Sequence, residues 1–114
     1  MEQEIKKIKF KVQGSAFDPY ITTFELRGKN LIAHCTCPAG EYGQYCKHRL
    51  NILRGNNDNI VSRNKNEVQI IVSWLPGTDV DIALNEMNEA QRNYEYAINQ
   101  LKKVKKKFAK SLMD

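Results

Sequence analysis

The 114-residue sequence has no stretch of 18 consecutive apolar residues, which excludes a membrane-spanning helix. Six glycines and three prolines are too few for a collagen-like repeat or a low-complexity linker. Three cysteines are too few, and odd in number, for a secreted disulfide scaffold. The opening MEQEIKKIKF mixes acids with lysines and lacks the apolar run of a signal peptide, so the expected location is the cytoplasm, or the nucleus in a eukaryote. Thiols stay reduced there, and cysteines clustered with histidine point to metal ligation.

What is present is one domain's length of ordinary globular composition, 41% hydrophobic and 27% charged, with a formal charge of +5. That charge permits nucleic-acid binding without requiring it. Lys7 to Val12 alternates strictly, with Ile8, Phe10 and Val12 on one face and three lysines on the other, which predicts a half-buried strand. Gly14-Ser15 and Asp18-Pro19 mark a loop. Tyr20 to Leu26 is a second strand that sets Tyr20, Thr22, Phe24 and Leu26 on one side, and Gly28-Lys29-Asn30 turns the chain into a third, Leu31 to His34. The first 35 residues therefore read as an antiparallel meander.

Lys47 to Arg54 reads as a short helix stopped by Gly55, and Ile60-Val61 as a brief extended segment. Glu67 to Leu75 has strand composition, with Val68, Ile70 and Val72 alternating, although a helical turn also fits. Pro76-Gly77 ends it. Thr78 with Asp81 resembles a capping box, Asp79 is a second candidate cap, and the remainder, free of glycine and proline, predicts one helix of more than 30 residues. Val80, Met87, Tyr94, Leu101 and Phe108 repeat at one heptad position, and Ala83, Ala90, Ala97 and Val104 at another.

Charge along this helix is segregated. Residues 79–98 hold five acids and one base, whereas 99–113 hold six lysines and no acid. The asymmetry suits the helix dipole and equally suits antiparallel pairing, acidic half against basic half. Two uses of the stripe stand side by side: its first half packs on the sheet as a core helix, or residues 80–112 pair with a second copy or a protein partner. The expected fold class is α+β, a small antiparallel β-meander with a long C-terminal α-helix. The expected division is a β-rich domain over 1–77, its core about 20–55, and the lysine-tailed helix over 78–114.

All three cysteines and one of the two histidines fall within 14 residues: Cys35, Cys37, Cys46 and His48. On an extended chain residues two apart point to one side, so Cys35 and Cys37 can grip one ion at the end of the third strand. Cys46 and His48 converge only if Cys46 precedes the helix or lies in its first turn, because two residues on a helix diverge by about 200°. Pro38, Gly40 and Gly43 suit the reversing loop between the pairs. Three thiolates and an imidazole complete a tetrahedron around one zinc ion and leave no position for a substrate water. A nucleophilic Cys46 would need an activating base and a pocket, and the sequence shows only ligand spacing. His34 faces away from the cysteine pair and is expected at the surface or core edge.

The pattern Cys-x-Cys, gap, Cys-x-His resembles the SWIM-type zinc finger, with Cys35, Cys37, Cys46 and His48 at the ligand positions and Pro38 and the helical Lys47-His48-Arg49-Leu50 in keeping with the family. The resemblance implies a ββα zinc module that binds DNA or proteins, often beside a larger enzyme domain. The expected function is a non-catalytic zinc-binding module that binds nucleic acid, DNA first, mainly through backbone contacts. Lys47, Arg49, Arg54, Arg63 and Lys65 would meet phosphates, together with the Lys7, Lys9 and Lys11 face, and Tyr42 and Tyr45 would stack on bases. The competing class is a protein-interaction adaptor in which the heptad helix recruits a partner or a second copy.

Overall fold

The computed structural model describes residues 5–113. The first four residues of the MEQEIKKIKF opening, in which the sequence shows no signal peptide, lie outside them. The chain divides into two compact units, Met1–Asp81 and Ile82–Asp114.

In the first unit β1 (Ile5–Val12), β2 (Tyr20–Arg27) and β3 (Asn30–Cys35) form an antiparallel sheet in the order β1-β2-β3. The alternating patterns fix the register. Phe10 lies opposite Thr22 and Thr22 opposite Cys35, while Ile8, Phe24 and Ala33 form the next row of the same face. This face is covered by α2 (Lys47–Leu53) and α3 (Val68–Trp74), which add Ile52, Leu53, Val68 and Ile71 to a core of Phe10, Val12, Phe24, Leu31 and Ile60. Phe10 and Phe24 meet edge to face, ring centroids 6.1 Å apart. Lys7, Lys9 and Lys11 are exposed on the opposite face. Ile60 pairs with Val12, which makes the brief extended segment an added bridge on the β1 edge.

Two short elements differ from the sequence reading. The strand expected over Glu67 to Leu75 is a 3₁₀ turn, Lys65–Glu67, followed by α3. Val68, Ile70 and Val72 alternate, but Val68, Ile71, Val72 and Leu75 also recur at helical spacing. Packing selects the second set: Val68 and Ile71 are buried, Val72 and Leu75 pack against the core, and Ile70 is exposed. The loop expected from Pro38 contains one turn of helix, α1 (Pro38–Glu41). Proline at its first position lacks only an N–H that has no partner there, and Cys37 caps the turn by accepting from the Gly40 N–H at 3.3 Å.

Asp79, the first residue of α4 (Asp79–Ser111), is itself bonded to the sheet edge. Its carboxylate accepts from the N–H groups of Leu31 and Val80, and its own N–H donates to the Lys29 carbonyl. Arg49 donates to the Ala33 carbonyl, so β3 spends two of its outward-facing backbone groups on Asp79 and Arg49. The Thr78 hydroxyl accepts from the Asp81 N–H, and the Asp81 carboxylate accepts from the Gly77 N–H, a capping box with its return arm moved back one residue.

No residue of α4 is buried. Tyr94, Leu101, Val104, Phe108 and Leu112 are all more than half exposed. Among the described residues no helix is long and apolar enough to cross a membrane.

Candidate metal centre

Three elements bring the ligands together. Cys35 ends β3, Cys37 caps α1 and Cys46 immediately precedes α2, leaving His48 in the first turn of α2. The β2–β3 ladder runs on past Cys35: the Thr36 N–H donates to the Ile21 carbonyl and the Thr36 hydroxyl accepts from the Ile21 N–H, which holds Cys37 in line. The Arg49 guanidinium bridges the other end, donating to the Ala33 carbonyl at 3.0 Å and to the Gln44 carbonyl at 2.6 Å. It fastens α2 to β3 and so brings the two ligand pairs within reach of one ion.

The four donor atoms lie within 4.8 Å of one another. Cys37 and Cys46 Sγ are 3.4 Å apart, and His48 Nδ1 is 3.8 Å from both Cys35 and Cys46 Sγ. Zinc–sulfur bonds of about 2.3 Å and a zinc–nitrogen bond of about 2.0 Å at tetrahedral angles separate ligands by about 3.5–3.8 Å, so the cluster fits one zinc ion. The cysteines are at most 5% exposed and His48 is 9% exposed, which keeps bulk water from the ligand atoms.

The protein environment shifts the ligand groups in different directions. Burial pushes the Cys35 thiol up to about 11 against the opposing effect of the Thr22 hydroxyl. At Cys46 burial also pushes upward, but the Arg49 backbone N–H at the open end of α2, with the neighbouring thiols, outweighs it and the thiol falls below its ordinary value. Burial, helped by the Lys47 charge, lowers His48, so its imidazole is neutral at pH 7 and ready to donate a lone pair. A Cys35 proton retained at neutral pH must leave when the ion binds.

Several supporting residues carried little or no sequence signal. Thr22 is fully buried, and its hydroxyl donates to Cys35 Sγ at 3.5 Å. Its one signal is a polar residue on the apolar face of β2. Tyr20 packs against the His48 ring at a tilt of 46°, centroids 5.2 Å apart. Gly14 makes room for this pair: a Cβ there would stand 2.5 Å from the Tyr20 ring and 3.2 Å from His48 Nε2. At Gly40 a Cβ would run into the Cys35 carbonyl.

Residues 10–53 match the family model of the SWIM zinc finger. The chain carries a SWIM zinc finger. The matched span begins within β1 and ends with α2, earlier than the 20–55 core expected from the sequence, and so takes in Gly14 and the Phe10 row beneath the site. The finger's Cys3His cluster is consistent with one zinc ion, and a SWIM zinc finger is a binding module. No curated protein and no solved structure matches the chain.

Around the finger, Tyr42, Tyr45 and Lys47 are exposed, and the last two line a cleft of about 330 Å³ beside Cys37, Cys46 and His48. Arg49 is half-buried and engaged with two carbonyls. Arg54 lies exposed at the C-terminal end of α2, and Arg63 and Lys65 are exposed beside the β1 edge. That edge is held by the Lys11 N–H donating to Ser62 and by Asn64 donating to the Lys9 carbonyl. His34 is exposed on the face opposite Cys35, as its position on the strand requires. Phe17, which the sequence reading passed over, is 97% exposed in the β1–β2 loop.

Proposed function

We propose that the chain is a non-catalytic zinc-binding module in which Cys35, Cys37, Cys46 and His48 hold one ion and the folded finger binds nucleic acid, DNA first, through its phosphate backbone. The observation that carries the reading is the row of exposed cations on and beside β1: Lys7, Lys9 and Lys11 on the open sheet face, with Arg63 and Lys65 along the same strand's edge. Successive lysines two residues apart on a strand repeat every ~6.8 Å, a spacing suited to tracking a charged backbone. Tyr45 and Lys47 at the cleft, with Tyr42 nearby, supply stacking surface and one more cation. Arg49 holds the ligand pairs together, and its part in binding is to keep Lys47 and Tyr45 in place.

Anisotropy with labelled single- and double-stranded DNA and RNA across a salt series tests this. Affinity should fall steeply with salt, and replacing Lys7, Lys9 and Lys11 with alanine should reduce the log–log slope by about 2–3. Absence of binding at low salt rejects the reading. A second reading, an adaptor acting through α4, is favoured by the exposed apolar residues Tyr94, Leu101, Val104 and Phe108.

A further inference from the structure

A helix of 33 residues is about 50 Å long, and helices in water owe most of their stability to packing an apolar face. In α4 that face is present and uncovered. Tyr94, Ala97, Leu101, Val104 and Phe108 follow at three- and four-residue steps, and every one is exposed. The face is also uneven, since one seam position carries large side chains and the other carries alanine at three of its turns.

Charge decides which kind of surface can cover it. A second α4 lying parallel would set six lysines beside six lysines over residues 102–110. An antiparallel copy sets them beside Asp81, Glu86 and Glu89. One antiparallel register satisfies size and charge together. In it Phe108 faces Ala83 of the second copy, Leu101 faces Ala90, and Tyr94 faces Ala97, a large side chain against a small one in these three layers, while Met87 faces Val104 in the layer between the first two. The same register places Glu86 on the flank of the seam against Lys107 of the second copy, and the twofold axis repeats the pair. Sliding by one heptad sets Lys107 against Asn93, or against Asp79, whose carboxylate already accepts from Leu31 and Val80.

We propose that α4 is a homodimerisation element: two copies of this chain pair antiparallel through residues 83–108, with Ala83–Phe108, Ala90–Leu101 and Ala97–Tyr94 as seam layers and Glu86–Lys107 as the flanking ion pair. The proposal is independent of nucleic-acid binding, because it uses neither the cations on β1 nor the zinc site.

Sedimentation equilibrium on the zinc-loaded full-length chain tests it, with helical content followed by circular dichroism to confirm that each variant folds. The wild type should sediment as a dimer. Glu86→Lys and Lys107→Glu should each weaken dimerisation roughly tenfold, since each single change turns two attractive pairs into two repulsive ones. The double variant Glu86→Lys/Lys107→Glu should recover wild-type affinity. A wild type that stays monomeric overturns the proposal. So does a dimer insensitive to the single changes, or one that the double change fails to restore.

Discussion

The finger unit and the helix that follows it are stabilised in opposite ways. In Met1–Asp81 the chain buries an aromatic and aliphatic core on one side of three strands and gathers three cysteines and a histidine into a second, smaller cluster. In Ile82–Asp114 no described residue is buried. The core of the first unit is small, with nine buried residues in its main cluster among those described, so the free energy of metal binding is a large fraction of what keeps it folded. The helix depends instead on length, on a capped first turn and on whatever covers its apolar stripe. A local contact can therefore decide the fate of one unit and leave the other untouched.

Metal removal should break this comparison open most widely. Structural zinc contributes about 10–16 kcal/mol in small zinc domains, so a strong chelator should abolish the dispersed amide and methyl resonances of the finger. Much of the helical circular dichroism from residues 82–113 should survive. Retention of the finger's dispersion in a metal-free sample would show that the apolar core alone suffices.

A smaller effect is expected from Gly40→Ala. The added methyl meets the Cys35 carbonyl, a backbone atom with little room to yield, and should cost about 1–3 kcal/mol together with weaker zinc retention. Competition with a colorimetric chelator measures the retention, and thermal melting measures the stability. Smaller again is Thr22→Val, which keeps the shape and removes the O–H donor from Cys35 Sγ. Loss of one such outer partner should lower zinc affinity about tenfold with helical content unchanged. An unchanged affinity would reduce Thr22 to a packing role.

The same division explains what could be read from the sequence. The three strands, α2 and the long helix rest on local periodicity and capping, and Cys35, Cys37, Cys46 and His48 rest on spacing along the chain. Those signals need no knowledge of neighbours. Residues 68–74 carry two periodicities at once, and only contact with the core chooses the helical one. Pro38 is a helix-start signal that merges with turn chemistry when the helix is a single turn long. Arg49 looks like any other surface cation until the Ala33 and Gln44 carbonyls are brought beside it. Gly14 and Gly40 read from sequence as loop glycines, but the atoms that exclude a side chain there, the Tyr20 and His48 rings at Gly14 and the Cys35 carbonyl at Gly40, are known only from the fold.

The two halves of the metal cluster are each anchored by their own segment, one by the end of β3 with α1 and the other by α2 and Arg49. The peptide joining them runs through Gly43, which has φ +67° and no atom within 4 Å of the place a side chain would occupy. The ligand set is thus a clasp whose joint faces solvent, and at Gly43 the positive φ, not any neighbouring atom, is what disfavours a side chain.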